Sequence, residues 1–191
     1  EIDREFNTLN SLHTRDISSI EPRCIELYYK SKEISYYRGQ QEALVRLLAY
    51  GLNDKRDIDT IEPYLQEILK NALKKEDYFY YCKGLALQAG LLEKLGLYKE
   101  AKATLEEGIT HFNKIDNKDL RSSIECYYDS RYIQLYTLLK KQDLVELYAQ
   151  KLFKKAEILS NSDPQKNSYL VIASRVLADI NIQQKRFEKA N

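Results

Sequence analysis

Apolar residues recur at helical spacing along almost the whole chain. Ile58, Ile61, Leu65, Ile68, Leu69 and Ala72 form one stripe, and Tyr98, Ala101, Leu105, Ile109 and Phe112 form another. Residues three or four apart share a helix face, so each stripe is the buried side of an amphipathic helix. Read this way, the pattern predicts helices over 17–33, 36–51, 58–75, 79–95, 98–113, 119–140, 143–160 and 164–184, with an extra one over 2–12. Every connection is short.

The pattern also repeats. Asp16-Ile17-Ser18-Ser19-Ile20-Glu21-Pro22 lies over Asp57-Ile58-Asp59-Thr60-Ile61-Glu62-Pro63 at an offset of 41 positions, and Glu26 over Glu67 extends the match. In each copy Ser18 or Asp59 stands three residues before Glu21 or Glu62, the spacing of a capping box that starts a helix. Pro22 and Pro63 are then expected in the first turn, where a missing backbone donor costs little. Gly39 and Gly51 recur as Gly84 and Gly96 at an offset of 45, and tyrosine pairs recur at Tyr36-Tyr37, Tyr80-Tyr81 and Tyr127-Tyr128. Asp143 with Glu146, and Asp163 before Pro164, supply two further helix starts.

Amphipathic helices of similar length joined by short turns pack as antiparallel pairs, and each pair hides its apolar flank against the next. The expected fold is therefore all-α, a stack of helix pairs with no linker to divide it, and residues 1–191 count as one domain. Glu1 in place of an initiator, the absence of Met, and the helix-like ending Arg186-Phe187-Glu188-Lys189-Ala190-Asn191 suggest a segment of a longer protein.

Composition narrows the classes of function. Hydrophobic residues at 43% and charged ones at 31% fit a folded domain and leave no apolar run long enough for a membrane span. Thirty Lys and Arg against twenty-nine Asp and Glu give a net charge of +1, so no overall field favours nucleic acid or an anionic bilayer. Cytoplasmic residence is the expectation, or an extracytoplasmic one if a leader or anchor precedes the segment. Cys24, Cys82 and Cys126 are an odd number with no CxxC and no nearby histidine pair, and they read as buried free thiols. A Cys82–Cys126 disulfide would require an oxidising compartment.

The stretch Gly84-Leu85-Ala86-Leu87-Gln88-Ala89-Gly90-Leu91-Leu92-Glu93-Lys94-Leu95-Gly96-Leu97-Tyr98-Lys99-Glu100-Ala101 resembles the tetratricopeptide repeat. It has a small residue, Ala89, where two helices cross, then Gly-x-Tyr-x-Glu-Ala at the turn into the second helix. Lys185-Arg186-Phe187-Glu188-Lys189-Ala190 looks like the same turn again, and Gln142-Asp143-Leu144-Val145-Glu146-Leu147 like a degenerate copy. The unit, at 41–47 residues, is longer than the family's usual repeat of about 34, and the consensus Trp and terminal Pro are missing. The resemblance implies a right-handed superhelical stack of about four helix pairs, a tetratricopeptide-like α-solenoid. Helices of this length look like the sensor or assembly segments of bacterial multidomain regulators.

Recognisable catalytic or cofactor chemistry is lacking. His13 and His111 are the only histidines, neither in a nucleophile setting, and no HExxH, GxGxxG, Walker or EF-hand motif occurs. The chain is thus expected not to be an enzyme, to need no cofactor or metal, and to bind a protein or peptide. In the tetratricopeptide family the first helix of each pair lines a concave groove. Its positions correspond here to Arg38, Gln41, Lys83, Tyr132, Tyr136, Arg175 and Asp179. Such an aromatic and cationic surface suits an acidic peptide. The alternative is the sensory or dimerisation segment of a bacterial transcription regulator, with DNA bound by a module outside this chain and a homodimer left open.

Overall fold

A computed structural model describes residues 1–11, 17–54 and 56–190. Asp16, His13 and Asn191 lie outside them. The described residues are helical throughout: α1 (Ile2–Ser11), α2 (Ile17–Glu33), α3 (Tyr37–Asn53), α4 (Ile58–Lys74), α5 (Tyr78–Lys94), α6 (Tyr98–Ile109), α7 (Lys118–Leu138), α8 (Gln142–Ile158) and α9 (Lys166–Ala190). Among them there is no strand, and each helix packs mainly on neighbours in sequence, α2 on α3, α3 on α4, α7 on α8 and α8 on α9. The chain divides into two compact units, Glu1–Leu91 and Leu92–Asn191.

Four of the connections are one turn made four times. In each, a residue after the helix takes positive φ: Ser35 (54°), Glu76 (52°), Gly96 (75°) and Lys140 (55°). The next N–H reaches back five residues, Tyr36 to the Ser31 carbonyl, Asp77 to Ala72, Leu97 to Leu92 and Lys141 to Tyr136, at 2.7–2.9 Å. This is the Schellman closure, which satisfies orphan carbonyls at a helix end and turns the chain sharply into the next helix. Glycine is the residue that takes this conformation without strain, yet only Gly96 of the four is glycine.

In the first unit the repeat offset maps buried position onto buried position. Cys24, Leu27 and Ser31 of α2 correspond to Leu65, Ile68 and Ala72 of α4, and all six are 0–2% exposed. α2 closes on α1 and α3 through Phe6, Leu9, Cys24, Leu27, Ala43 and Leu47. The other side of α3 meets α4 and α5 through Leu44, Val45, Leu48, Ile61, Leu65, Ile68, Tyr80 and Leu87. Glycines let helices approach: a Cβ on Gly84 would stand 2.7 Å from Leu69 Cδ2. In the second unit α6 to α9 bury Ala101, Leu105, Ile124, Tyr128, Leu135, Ala149, Leu152, Tyr169, Ala173 and Ile180. A buried ion pair joins Arg131 Nη2 to Glu93 Oε2 at 2.6 Å.

Several local expectations are corrected. α4 begins at Ile58, so Asp59 lies inside the first turn and no capping box forms; Asp57 holds the N-cap position without a side-chain bond. The Ser18 side chain is outside the described residues, but Glu21 pairs with the Arg56 guanidinium, Arg56 Nη2 donating to Glu21 Oε2 at 2.6 Å. Pro22 and Pro63 fall in the second turn, where each removes one helix bond. Asp143 likewise sits inside α8, whose N-cap is Lys141. Side-chain caps occur instead at Asp77, which accepts from the Tyr80 N–H, and Asn117, which accepts from the Leu120 N–H. α6 stops at Ile109, and a 3-10 turn at Phe112–Lys114 follows. Residues 185–190 continue α9 and form no turn, because nothing there matches the positive φ of Gly96 and Gln183, Gln184, Lys185 and Arg186 are good helix formers.

Candidate functional site

Ile25, Tyr28, Tyr29 and Lys32 fall at i, i+3, i+4 and i+7, so they line one flank of α2. They face Pro63, Tyr64 and Glu67 of α4, with Leu44 and Leu47 of α3 beneath, around a cavity of about 290 Å³. That is at the small end for a ligand site and suits one or two large side chains better than a cofactor. The floor is apolar: Leu44 and Leu47 are buried. The walls are open, with Tyr29 58% and Ile25 36% exposed, which is the combination that leaves apolar area for a partner to cover.

Polar contacts fix the walls. The Tyr28 hydroxyl donates to Glu67 Oε1 at 2.6 Å and so ties α2 to α4. Burial, reinforced by that hydrogen bond to a carboxylate, raises the phenol well above its ordinary range, so it stays a donor at any physiological pH. The Lys32 ammonium lies 5.5 Å from the centre of the Tyr28 ring, and the Tyr29 ring stands edge-on to Tyr28 at 5.3 Å. The rim thus carries one carboxylate and one ammonium around an aromatic wall.

The residues expected to line a groove are distributed differently. Gln41 is 0% exposed; its Nε2 donates to the Tyr37 hydroxyl at 3.0 Å and to the Ile68 carbonyl at 3.2 Å, so it is a core tie between α3 and α4 and not a surface contact. Tyr132 and Tyr136 are 3% and 6% exposed and are likewise removed from the accessible set. They stack with Tyr148, the Tyr132–Tyr148 centroids 4.6 Å apart and the Tyr132–Tyr136 centroids 5.8 Å apart, and the rings fill space between α7 and α8. Lys83 is committed to Glu42, Nζ to Oε1 at 3.4 Å, and lies over the Phe79 ring. Arg38 is exposed on α3, and Arg175 and Asp179 are exposed on α9.

Glu42 gathers the polar groups of the first unit, accepting from the Tyr80 hydroxyl at 2.9 Å and facing Arg46 at 3.6 Å. Burial opposes its charge, yet Lys83, Arg46 and Tyr80 together hold its pKa below the ordinary carboxylate range. In the second unit Asp129, 5% exposed, takes Lys155 at 2.8 Å, with Glu125 3.5 Å from the same ammonium. Both are paired packing clusters. The three cysteines are buried and none is in a disulfide. Among the described residues no group of three His, Cys, Asp or Glu side chains is placed to hold a metal ion, and no helix is long and apolar enough to cross a membrane.

The class defined here is an all-helical protein whose helices pack on their sequence neighbours and whose first unit opens an apolar cleft between α2 and α4. Compared with known proteins, the chain matches no protein-family profile, no curated protein and no solved structure.

Proposed function

We propose that the chain is a protein- or peptide-binding scaffold of tetratricopeptide-like helix pairs, stacked as a right-handed superhelix, that catalyses nothing itself. The observation that carries this reading is the α2–α4 cleft: a preformed apolar floor under exposed Tyr29 and Ile25, with Lys32 and Glu67 at the rim. Tyrosines held rigid by neighbours bury large area at little entropic cost, as binding hot spots do. The repeated Schellman turns support the repeat reading, since one turn geometry used four times builds units of one kind. The contact surface is accordingly placed on the α2 and α4 side, while Gln41, Tyr132 and Tyr136 serve the core.

Selection of 12-residue peptides from a displayed random library against the intact chain tests this. Peptides with a bulky apolar anchor are expected, and Tyr29→Ala with Ile25→Asp should weaken the selected peptides by at least about tenfold. Far-UV circular dichroism of the variant should match the parent, because both side chains are already exposed. Selected peptides that bind the double variant unchanged would refute the cleft.

A further inference from the structure

A second surface, in the other unit and independent of the cleft, has the pattern of a self-interface. The inward side of α9 is buried through Tyr169, Ala173 and Ile180. Its outward side carries Val171 (66% exposed), Ile172 (39%) and Ile182 (49%), with exposed Arg175, Ala178 and Asp179 among them. Val171, Arg175, Ala178 and Ile182 are spaced by four, three and four residues, so they form one straight stripe of the kind that seats a second helix. Val171 and Ile182, the two ends of that stripe, are large apolar side chains that are costly to leave in water.

We propose that this face of α9 pairs with the same face of a second copy of the chain, antiparallel, across a two-fold axis. The stripe is self-complementary about a point between Val176 and Leu177. Reversing it places Val171 opposite Ile182 and the long Arg175 opposite the small Ala178, and each match occurs twice, as a two-fold interface requires. Asp179 follows Ala178 directly, so the Arg175 guanidinium of one copy reaches the Asp179 carboxylate of the other, again twice. Among the described residues neither Arg175 nor Asp179 has an ion-pair partner within its own chain.

From Val171 to Ile182 the stripe spans roughly 17 Å at 1.5 Å per residue. It is smaller than a standard stable interface, so the association is concentration dependent. Sedimentation equilibrium of the intact chain from about 10 µM to about 1 mM should show the mass rising from one chain toward two. Arg175→Asp, which presents two carboxylates, and Asp179→Arg, which presents two guanidinium groups, should each weaken self-association by about tenfold or more. An equimolar mixture of the two should associate, because both ion pairs re-form between unlike chains, and the double variant Arg175→Asp/Asp179→Arg should recover the parent behaviour. Ile182→Glu should abolish association without rescue. All these side chains are exposed, so unchanged far-UV circular dichroism is expected throughout. A parent chain that stays monomeric over the whole range, charge swaps without effect, or a mixture that fails to associate would each overturn the proposal.

Discussion

Gly108 of α6 packs directly against Tyr128 of α7, and Gly108→Ala is the sharpest test of that packing. A Cβ built at Gly108 would lie on the Tyr128 hydroxyl oxygen, 2.6 Å from Cζ and 2.8 Å from Cε1. The ring cannot swing aside easily, because Tyr128 is 1% exposed and Phe112 stands edge-on to it, centroids 4.8 Å apart at 87°. Overpacking of this kind costs about 1–3 kcal/mol, and a rigid ring points to the upper end. Alanine returns about 1 kcal/mol of helix propensity over glycine, so the net loss should be about 2 kcal/mol. In a chain of this size that lowers the melting temperature by roughly 4–8 °C. Differential scanning calorimetry reads it directly. The cause is isolated by Tyr128→Leu: the double variant should lose at least about 1 kcal/mol less than the sum of the two single losses, since the smaller side chain leaves room for the methyl. A Gly108→Ala chain as stable as the parent, or strictly additive losses, would show that the helices part freely and that Gly108 is not a contact.

Three further outcomes follow from the turns, the Glu42 cluster and the thiols. Ser35→Gly, Glu76→Gly and Lys140→Gly should each raise stability by about 0.5–1 kcal/mol, and Gly96→Ala should lower it by about 1 kcal/mol, in urea titrations; losses on introducing glycine would contradict the positive-φ assignment. Because the Glu42 pKa is lowered in the fold, the stability it contributes is present above the unfolded carboxylate range and is lost as pH falls through the folded value. Glu42→Gln should therefore destabilise by about 1 kcal/mol near pH 7 and by progressively less below about pH 4, whereas a pH-independent difference would point to shape alone. Burial pushes the Cys24 thiol up to about 11 and those of Cys82 and Cys126 up to about 12, so a disulfide reagent at pH 8 should label none of the three in the folded chain and all three in denaturant.

The helices were legible because a buried face must recur every three or four residues, and the chain obeys that rule from Ile58 to Ala72 as plainly as anywhere. The offset of 41 was legible for the same reason: it reads the same inward positions twice, Cys24 with Leu65 and Leu27 with Ile68. The turns were not. A Schellman closure announces itself by glycine, and three of the four left-handed positions are Ser35, Glu76 and Lys140, which look like ordinary polar residues between helices. The starts of α4 and α8 were read to within a residue, but the caps were assigned to the wrong residues, since Asp59 and Asp143 favour the first turn through its dipole as well as they would a cap.

The site was harder to read, because tyrosine serves two masters. Tyr132 and Tyr29 are the same side chain, and nothing in either local sequence says that one stacks in the interior at 3% exposure while the other stands at 58%. What separates them is the number of helices that reach each ring: α7 and α8 both contribute to the Tyr132 stack, whereas Tyr29 lies on the flank of α2 facing the gap to α4. The usable signal lay in position. On α2 the buried stripe is Cys24, Leu27 and Ser31, so Ile25, Tyr28, Tyr29 and Lys32 sit one step around the helix, where an apolar surplus has no core left to enter. The same reasoning applied to α9, whose inward stripe is Tyr169, Ala173 and Ile180, leaves Val171, Ile172 and Ile182 as the surplus. In each helix the second apolar stripe, beyond what the fold consumes, is the part of the sequence that is available to another molecule.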